Sequence, residues 1–119
     1  MSATIELDRH TYTPGATLRG RVLLAPIPGE EDRTVELSVL WQTEGNGDTD
    51  LGVVLHRVLA ANDPRAARAA HTFEVVVPPL PLSYEGHLVK IRWLVRVRRL
   101  AAFSNDALFD APFVVAWLR

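Results

Sequence analysis

Histidine is the first residue type to examine for chemistry, because imidazole is the commonest metal ligand in proteins and titrates near neutral pH. The four histidines are His10, His56, His71 and His87. None stands in the H-x-H, H-x-x-x-H or H-E-x-x-H spacing that brings imidazoles to one metal ion. Ser83 lacks the G-x-S-x-G context of a nucleophilic serine, and the chain has no cysteine for thiolate chemistry or disulfides. These patterns predict a protein that is not an enzyme and has no cofactor or metal centre.

The loop at residues 44–50 carries the oxygen-rich side chains that calcium prefers. Asn46-Gly47-Asp48-Thr49-Asp50 resembles the first half of a calcium-binding loop. However, Leu51 stands where that loop requires glycine, and Arg57 stands where it requires a bidentate glutamate. A polar hairpin loop is therefore favoured, and weak calcium binding remains the alternative.

A row of cations is the main candidate for binding a partner. Its members are Lys90, Arg92, Arg96 and Arg98. On a strand, alternate residues share one face, about 6.6–6.8 Å apart. The row is either a patch for an anionic partner or a set of intramolecular ion pairs with Glu36, Glu44 and Glu74, which hold outward positions on candidate neighbouring strands.

The last predicted strand, Ala111 to Leu118, is apolar on both faces. Val114 and Leu118 would have no cover on a solvated outer face, so they are either covered within the fold or meet another chain. Leu23 and Leu40 also occupy nominally wet faces. We therefore expect Val114 and Leu118 to belong to a surface that binds a protein partner or a second copy of the chain.

The elements that position these residues show a period of two, which is typical of strands with one dry face. From Leu88 to Arg98 the odd positions are Val89, Ile91, Trp93, Val95 and Val97. Similar alternation marks Ile5 and Leu7; Leu18, Val22 and Leu24; Val35, Leu37, Val39 and Trp41; Phe73, Val75 and Val77; and Phe113, Val115 and Trp117. With the extended segment Gly52 to Ala61, this makes about seven short strands.

Turn residues separate these strands. Thr13-Pro14-Gly15 predicts a tight turn, Asn46-Gly47 predicts a hairpin, and Pro78 to Gly86 forms a proline-rich crossover. Asp63-Pro64 and the alanines that follow predict a short helix near residues 63–70. The pattern predicts an all-β fold, an immunoglobulin-like antiparallel β-sandwich with Greek-key connections, in a single domain over residues 1–119.

Composition narrows the function classes. The net charge of −1 argues against nucleic acid as a partner. The N-terminus has no signal-peptide pattern, and the apolar runs fall short of the roughly 20 residues that span a bilayer. With no cysteine, we expect a cytoplasmic protein without a transmembrane segment. The excess of arginine over lysine and the abundance of alanine favour a bacterial source.

Several segments resemble arrestin-like domains. Tyr12-Thr13-Pro14-Gly15, followed by Gly20 and Val22, resembles their Y-x-P-G…G-x-V segment. Phe73 through Gly86 resembles their F-x-F…P…L-P-x-S-x-x-G segment, and Ile91 to Val95 resembles the I-x-[YW]-x-[VL] strand that follows.

The resemblance, which runs over nearly the whole chain and includes the Vps26 and SpoOM types, implies an immunoglobulin-like sandwich used as a protein-binding adaptor or scaffold. A structural subunit of a homo-oligomer is the alternative function. The first strand lacks the lysines with which arrestins sense phosphate, so recognition of phosphorylated receptors is not implied.

Overall fold

Alternating apolar and polar residues build nine β-strands in the part of the chain that the structure, a computed structural model, describes. That part comprises residues 2–25, 33–45, 47, 49–60, 65–66, 69–100 and 106–117. The strands are β1 (Ser2–Leu7), β2 (Thr11–Tyr12), β3 (Thr17–Ala25), β4 (Val35–Gly45), β5 (Leu51–Ala60), β6 (Ala70–Val76), β7 (Tyr84–Glu85), β8 (Val89–Arg99) and β9 (Ala107–Val115).

Two sheets form the sandwich. The smaller sheet has the order β1-β3-β6, and the larger has the order β2-β9-β8-β4-β5, with β7 paired to β8 beside that path. Every pairing is antiparallel except that of β2 with β9, in which Thr11 lies beside Val114 and Tyr12 beside Val115. The predicted all-β sandwich is therefore confirmed.

The core lies between the sheets, where the inner faces of β8 and β3 meet. Trp93, Val95 and Val97 are at most 1% exposed, as the alternation predicts. They belong to one cluster with Leu18 and Val22 of β3 and with Phe73 of β6. Val89 was expected in the same ridge but is 39% exposed. It opens β8 opposite Gly45, which has no side chain to cover it.

Three details differ from the sequence predictions. The last strand runs from Ala107 to Val115 and not from Ala111 to Leu118, and Trp117 lies exposed beyond its end. Two strands of two residues, β2 and β7, were not predicted. The described residues of the predicted helix near 63–70 contain no α-helix, since Ala70 already pairs with Leu23 of β3; residues 61–64, 67 and 68 lie outside the described residues. An isolated helix that short is marginal.

The Pro14-Gly15 turn anchors the start of β3 as predicted. The N–H of Ala16 donates to the carbonyl of Thr13 at 3.0 Å, and Gly15 has a φ of 84°. This is the geometry of a type II turn, which needs positive φ at its third residue. The N–H of Gly15 also donates to the carbonyl of Val77 at 2.8 Å, which ties the turn to the end of β6.

Tyr12 closes the point where the chain leaves one sheet for the other. Its side chain is fully buried, its hydroxyl donates to the carboxylate of Asp8, and the N–H of Arg9 donates to that hydroxyl at 3.0 Å. Its ring packs edge-on against Phe113, with 5.6 Å between centroids. Burial, followed by the hydrogen bond to Asp8, raises the pKa of Tyr12 to about 12.

The carboxyl of Asp8 shifts in the opposite direction. Desolvation opposes the change, but hydrogen bonds from Tyr12 and from the backbone N–H of Arg19 lower the pKa of Asp8 below its ordinary value. The charged carboxylate is therefore the form that this corner favours.

No helix of the described residues combines the length and apolar character needed to cross a bilayer.

Candidate partner-binding surface

The four predicted cations share the outer face of β8, and each lies close to a carboxylate. Arg96 makes two hydrogen bonds to Asp110, at 2.9 and 3.1 Å, which raise its pKa. The other pairs are Arg92 with Glu44 at 2.9 Å, Lys90 with Glu85 at 3.5 Å, and Arg98 with Glu36 and Asp106 at 3.7 Å each. The row therefore carries alternating charge and no surplus of positive charge.

The predicted carboxylates are found in part. Glu36 and Glu44 lie beside the row, but Glu74 lies on β6 in the other sheet, where it pairs with Arg19 at 3.3 Å. Glu85 and Asp110 were missed, because strand periodicity does not reveal which strands become neighbours. The sequence does offer a clue for Asp110, because a carboxylate between the apolar residues Phe109 and Ala111 has the alternation of an outward-facing strand residue.

An apolar row crosses the outer face between these charges. Leu40 of β4 pairs with Val53 of β5 on one side and with Leu94 of β8 on the other, and Leu94 pairs with Pro112 of β9. Leu40 and Leu94 are 3% and 6% exposed although they point away from the core between the sheets. Four neighbouring strands thus form an apolar layer on the face predicted to be wet.

A groove opens beside this face, beyond Trp93 and Phe113, where the pairing of β8 with β9 ends. Its volume is about 370 Å³. The apolar part of its lining consists of Tyr84, Ile91, Trp93, Pro112, Phe113 and Val114, and the polar part of His10, Ser83, Glu85 and Arg92. The candidate residue Val114 is 45% exposed and Tyr84 is 56% exposed, so both are open to a partner. Leu118 lies outside the described residues.

The crossover at residues 78–86 holds the groove in shape. The indole N–H of Trp93 donates to the carbonyl of Pro81 at 2.9 Å. Ser83 bonds Val115 twice, because its N–H donates to the carbonyl of Val115 and its hydroxyl accepts from the N–H of Val115, both at 2.9 Å. These bonds fix one wall before any partner arrives.

Three of the four histidines contact different parts of the fold. His10 lines the groove, the imidazole of His56 contacts the carboxylate of Glu36 at 2.8 Å, and that of His71 contacts the carbonyl of Ala66 at 2.8 Å. Within the residues that the structure describes, no three histidine or carboxylate side chains could hold a metal ion together. In the loop at 44–50, Asn46 and Asp48 lie outside those residues, so weak calcium binding stays a prediction.

No family model matches the chain, and no curated protein matches it. Solved structures with a similar fold include Spo0M, the sporulation control protein from Bacillus subtilis, with a TM-score of 0.58 and 11% identity over 98% of this chain and 49% of that one. A superoxide reductase (neelaredoxin) from Ignicoccus hospitalis has a TM-score of 0.55 and 11% identity over 98% of this chain and 81% of that one.

This chain spans about half the length of the Spo0M structure. At 11% identity these likenesses show the fold alone. Spo0M has an arrestin-like fold, so the likeness supports the arrestin-like β-sandwich that the motifs predict.

Proposed function

We propose that this chain is a non-catalytic adaptor domain that binds a partner protein on the outer face of its larger sheet. The observation that carries the proposal is the apolar groove beside Val114. Its floor is apolar and its rim is charged, which is the arrangement of a protein–protein interface with a dry centre and a polar rim.

The charged rim of the groove should contribute more to the choice of partner than to the strength of binding. Arg92 is already paired with Glu44, so a partner gains little from that charge unless it offers a complementary acidic and basic pattern of its own. The groove's 370 Å³ lies near the low end of the roughly 300–1,000 Å³ of small-molecule sites. An apolar side chain projecting from a partner's surface suits such an open, shallow groove.

The similarity to Spo0M adds support of a coarser kind. That protein is described as a sporulation control protein, which is a regulatory role. We carry over only the general idea that this fold serves regulation by binding, and we include the cytoplasmic location in the proposal.

The test places a photoreactive benzoylphenylalanine at position 114 in cells that produce the protein. Irradiation should yield one adduct of defined mass, because Val114 would lie inside the interface. The matched control carries the same group at Val76, an exposed valine on β6 of the other sheet. Identical adducts from both positions, or none from position 114, would refute the proposal.

A second candidate is a homo-oligomer through β9, which the exposure of Val114 also favours. The same experiment separates the two functions. An adduct with the mass of two chains from position 114 indicates self-assembly through β9, and any other mass identifies a different partner.

A further inference from the structure

We propose that strand β5 pairs antiparallel with β5 of a second copy of this chain and joins the two larger sheets into one. The order β2-β9-β8-β4-β5 puts β5 at the opposite edge of the sheet from the groove beside β9. The inference therefore does not depend on the proposed function.

The edge offered by β5 is long, and apart from His56 and Arg57 it is apolar. It runs for ten residues, Leu51–Ala60, without proline, lysine or a carboxylate, and among the described residues it pairs only with β4. Exposed sheet edges are normally guarded by charges, prolines or shortness, because unpaired N–H and C=O groups recruit other strands. Three outward side chains of this strand, Leu51, Val53 and Val58, are each more than half exposed.

Two bulges limit the ways in which this edge can pair. The register with β4 shifts at two places, where Val54 and Leu59 are the extra residues of β5. Bulges twist an edge and discourage indiscriminate pairing. The stretch 51–53 before the first bulge and the stretch 56–58 between the two bulges stay regular, so these are the segments available to a second strand.

A two-fold axis beside Val54 and Leu55 aligns the stretch 51–53 of one copy with 58–56 of the other. Leu51 then faces Val58, Gly52 faces Arg57, and Val53 faces His56. The two outward pairs match because Leu51 and Val53 share the outer face with His56 and Val58 through their pairing with β4, and Gly52 and Arg57 both lie on the inner face. A slip of one residue would set outward Val53 against inward Arg57, so the pattern specifies this register.

The pair of Gly52 with Arg57 is chemically complementary. The indole of Trp41 occupies the space that a side chain on Gly52 would need. Arg57 of the second copy would therefore lie beside an aromatic ring, which attracts a guanidinium. No ion pair of Arg57 is found among the described residues. The two Arg57 side chains do not face each other in this register, because each lies opposite Gly52 of the other copy. The strand thus fits a second copy of itself, as a two-fold interface requires.

Engineered cysteines test the register directly, because the chain has none of its own. The double variant Leu51→Cys/Val58→Cys should form a disulfide-linked dimer on mild oxidation. Its two thiols are seven residues apart on one strand, roughly 23 Å, so they cannot join within one chain. The matched control Leu51→Cys/Val53→Cys has thiols of similar exposure that do not face each other, and it should stay uncrosslinked. Equal crosslinking of both variants would overturn the register.

Light scattering tests the assembly itself. The unmodified protein should have twice the chain mass of 13.2 kDa, and Val58→Lys should have the single mass with an unchanged circular dichroism spectrum. The control Val76→Lys alters an equally exposed valine of β6 and should leave the dimer intact. A monomeric unmodified protein would overturn the proposal, whereas the adduct from position 114 would be unaffected.

Discussion

Replacing Tyr12 with phenylalanine isolates the contribution of the corner between β1 and β2. The substitution removes the hydroxyl that donates to Asp8 and accepts from the N–H of Arg9, while the ring keeps its packing on Phe113. A hydrogen bond to a charged group contributes about 1.5–3 kcal/mol. Asp8 is exposed, so water replaces part of this bond, and we expect a loss of about 1–2 kcal/mol at pH 7.

The pH dependence of this loss gives the sharper test. The pKa of Tyr12 is about 12 in the folded protein against 10.0 as the ordinary value. Because the folded state holds the proton more tightly, the stabilisation is fully present below pH 10 and is lost as the pH rises through 12. A shift of that size corresponds to roughly 2–3 kcal/mol. This exceeds the loss of about 1–2 kcal/mol expected at pH 7, so the advantage of the native protein over Tyr12→Phe should vanish between pH 10 and 12.

Urea denaturation of both proteins from pH 7 to 12, followed by circular dichroism, measures this difference. The control Tyr84→Phe removes a hydroxyl that is exposed and should leave the stability nearly unchanged at every pH. A difference between native protein and Tyr12→Phe that stays constant from pH 7 to 12 would refute the role given to the buried hydroxyl.

Three further predictions concern other parts of the fold. Gly20→Ala should lower the free energy of unfolding by about 1–3 kcal/mol, because the new Cβ would overlap the ring of Phe73, and an unchanged thermal midpoint would contradict this. Arg96→Ala should cost about 1 kcal/mol in urea titrations despite its two bonds to Asp110, since both side chains are partly exposed to water; a much larger cost would show that water is excluded from this face. Calcium should leave the thermal midpoint unchanged, and a clear upward shift would instead favour calcium binding by the loop at 44–50.

Alternation in the sequence predicts which face of each strand is dry, and Trp93, Val95 and Val97 confirm it. It does not predict which strands become neighbours, since pairing depends on contacts far apart in the chain. Glu74 was therefore assigned to the wrong sheet, and Asp110 was missed as the partner of Arg96.

Other features were beyond sequence periodicity for different reasons. Strands of two residues, such as Thr11–Tyr12, are too short to show a period. Leu40 looked like an isolated exception on a wet face, and only its register beside Leu94 shows that the two residues form an apolar layer. The groove is equally invisible in the sequence, because its walls come from four separate segments.

The parallel pairing of β2 with β9 has a consequence for the order of events during synthesis. The carbonyl of His10 accepts a hydrogen bond from the N–H of Val114 at 2.8 Å, and the two residues are about one hundred positions apart. Contacts so distant in sequence form late, because most of the polypeptide must leave the ribosome first. His10 and Val114 border the same groove, so a nascent chain lacks the complete surface that we propose as the binding site.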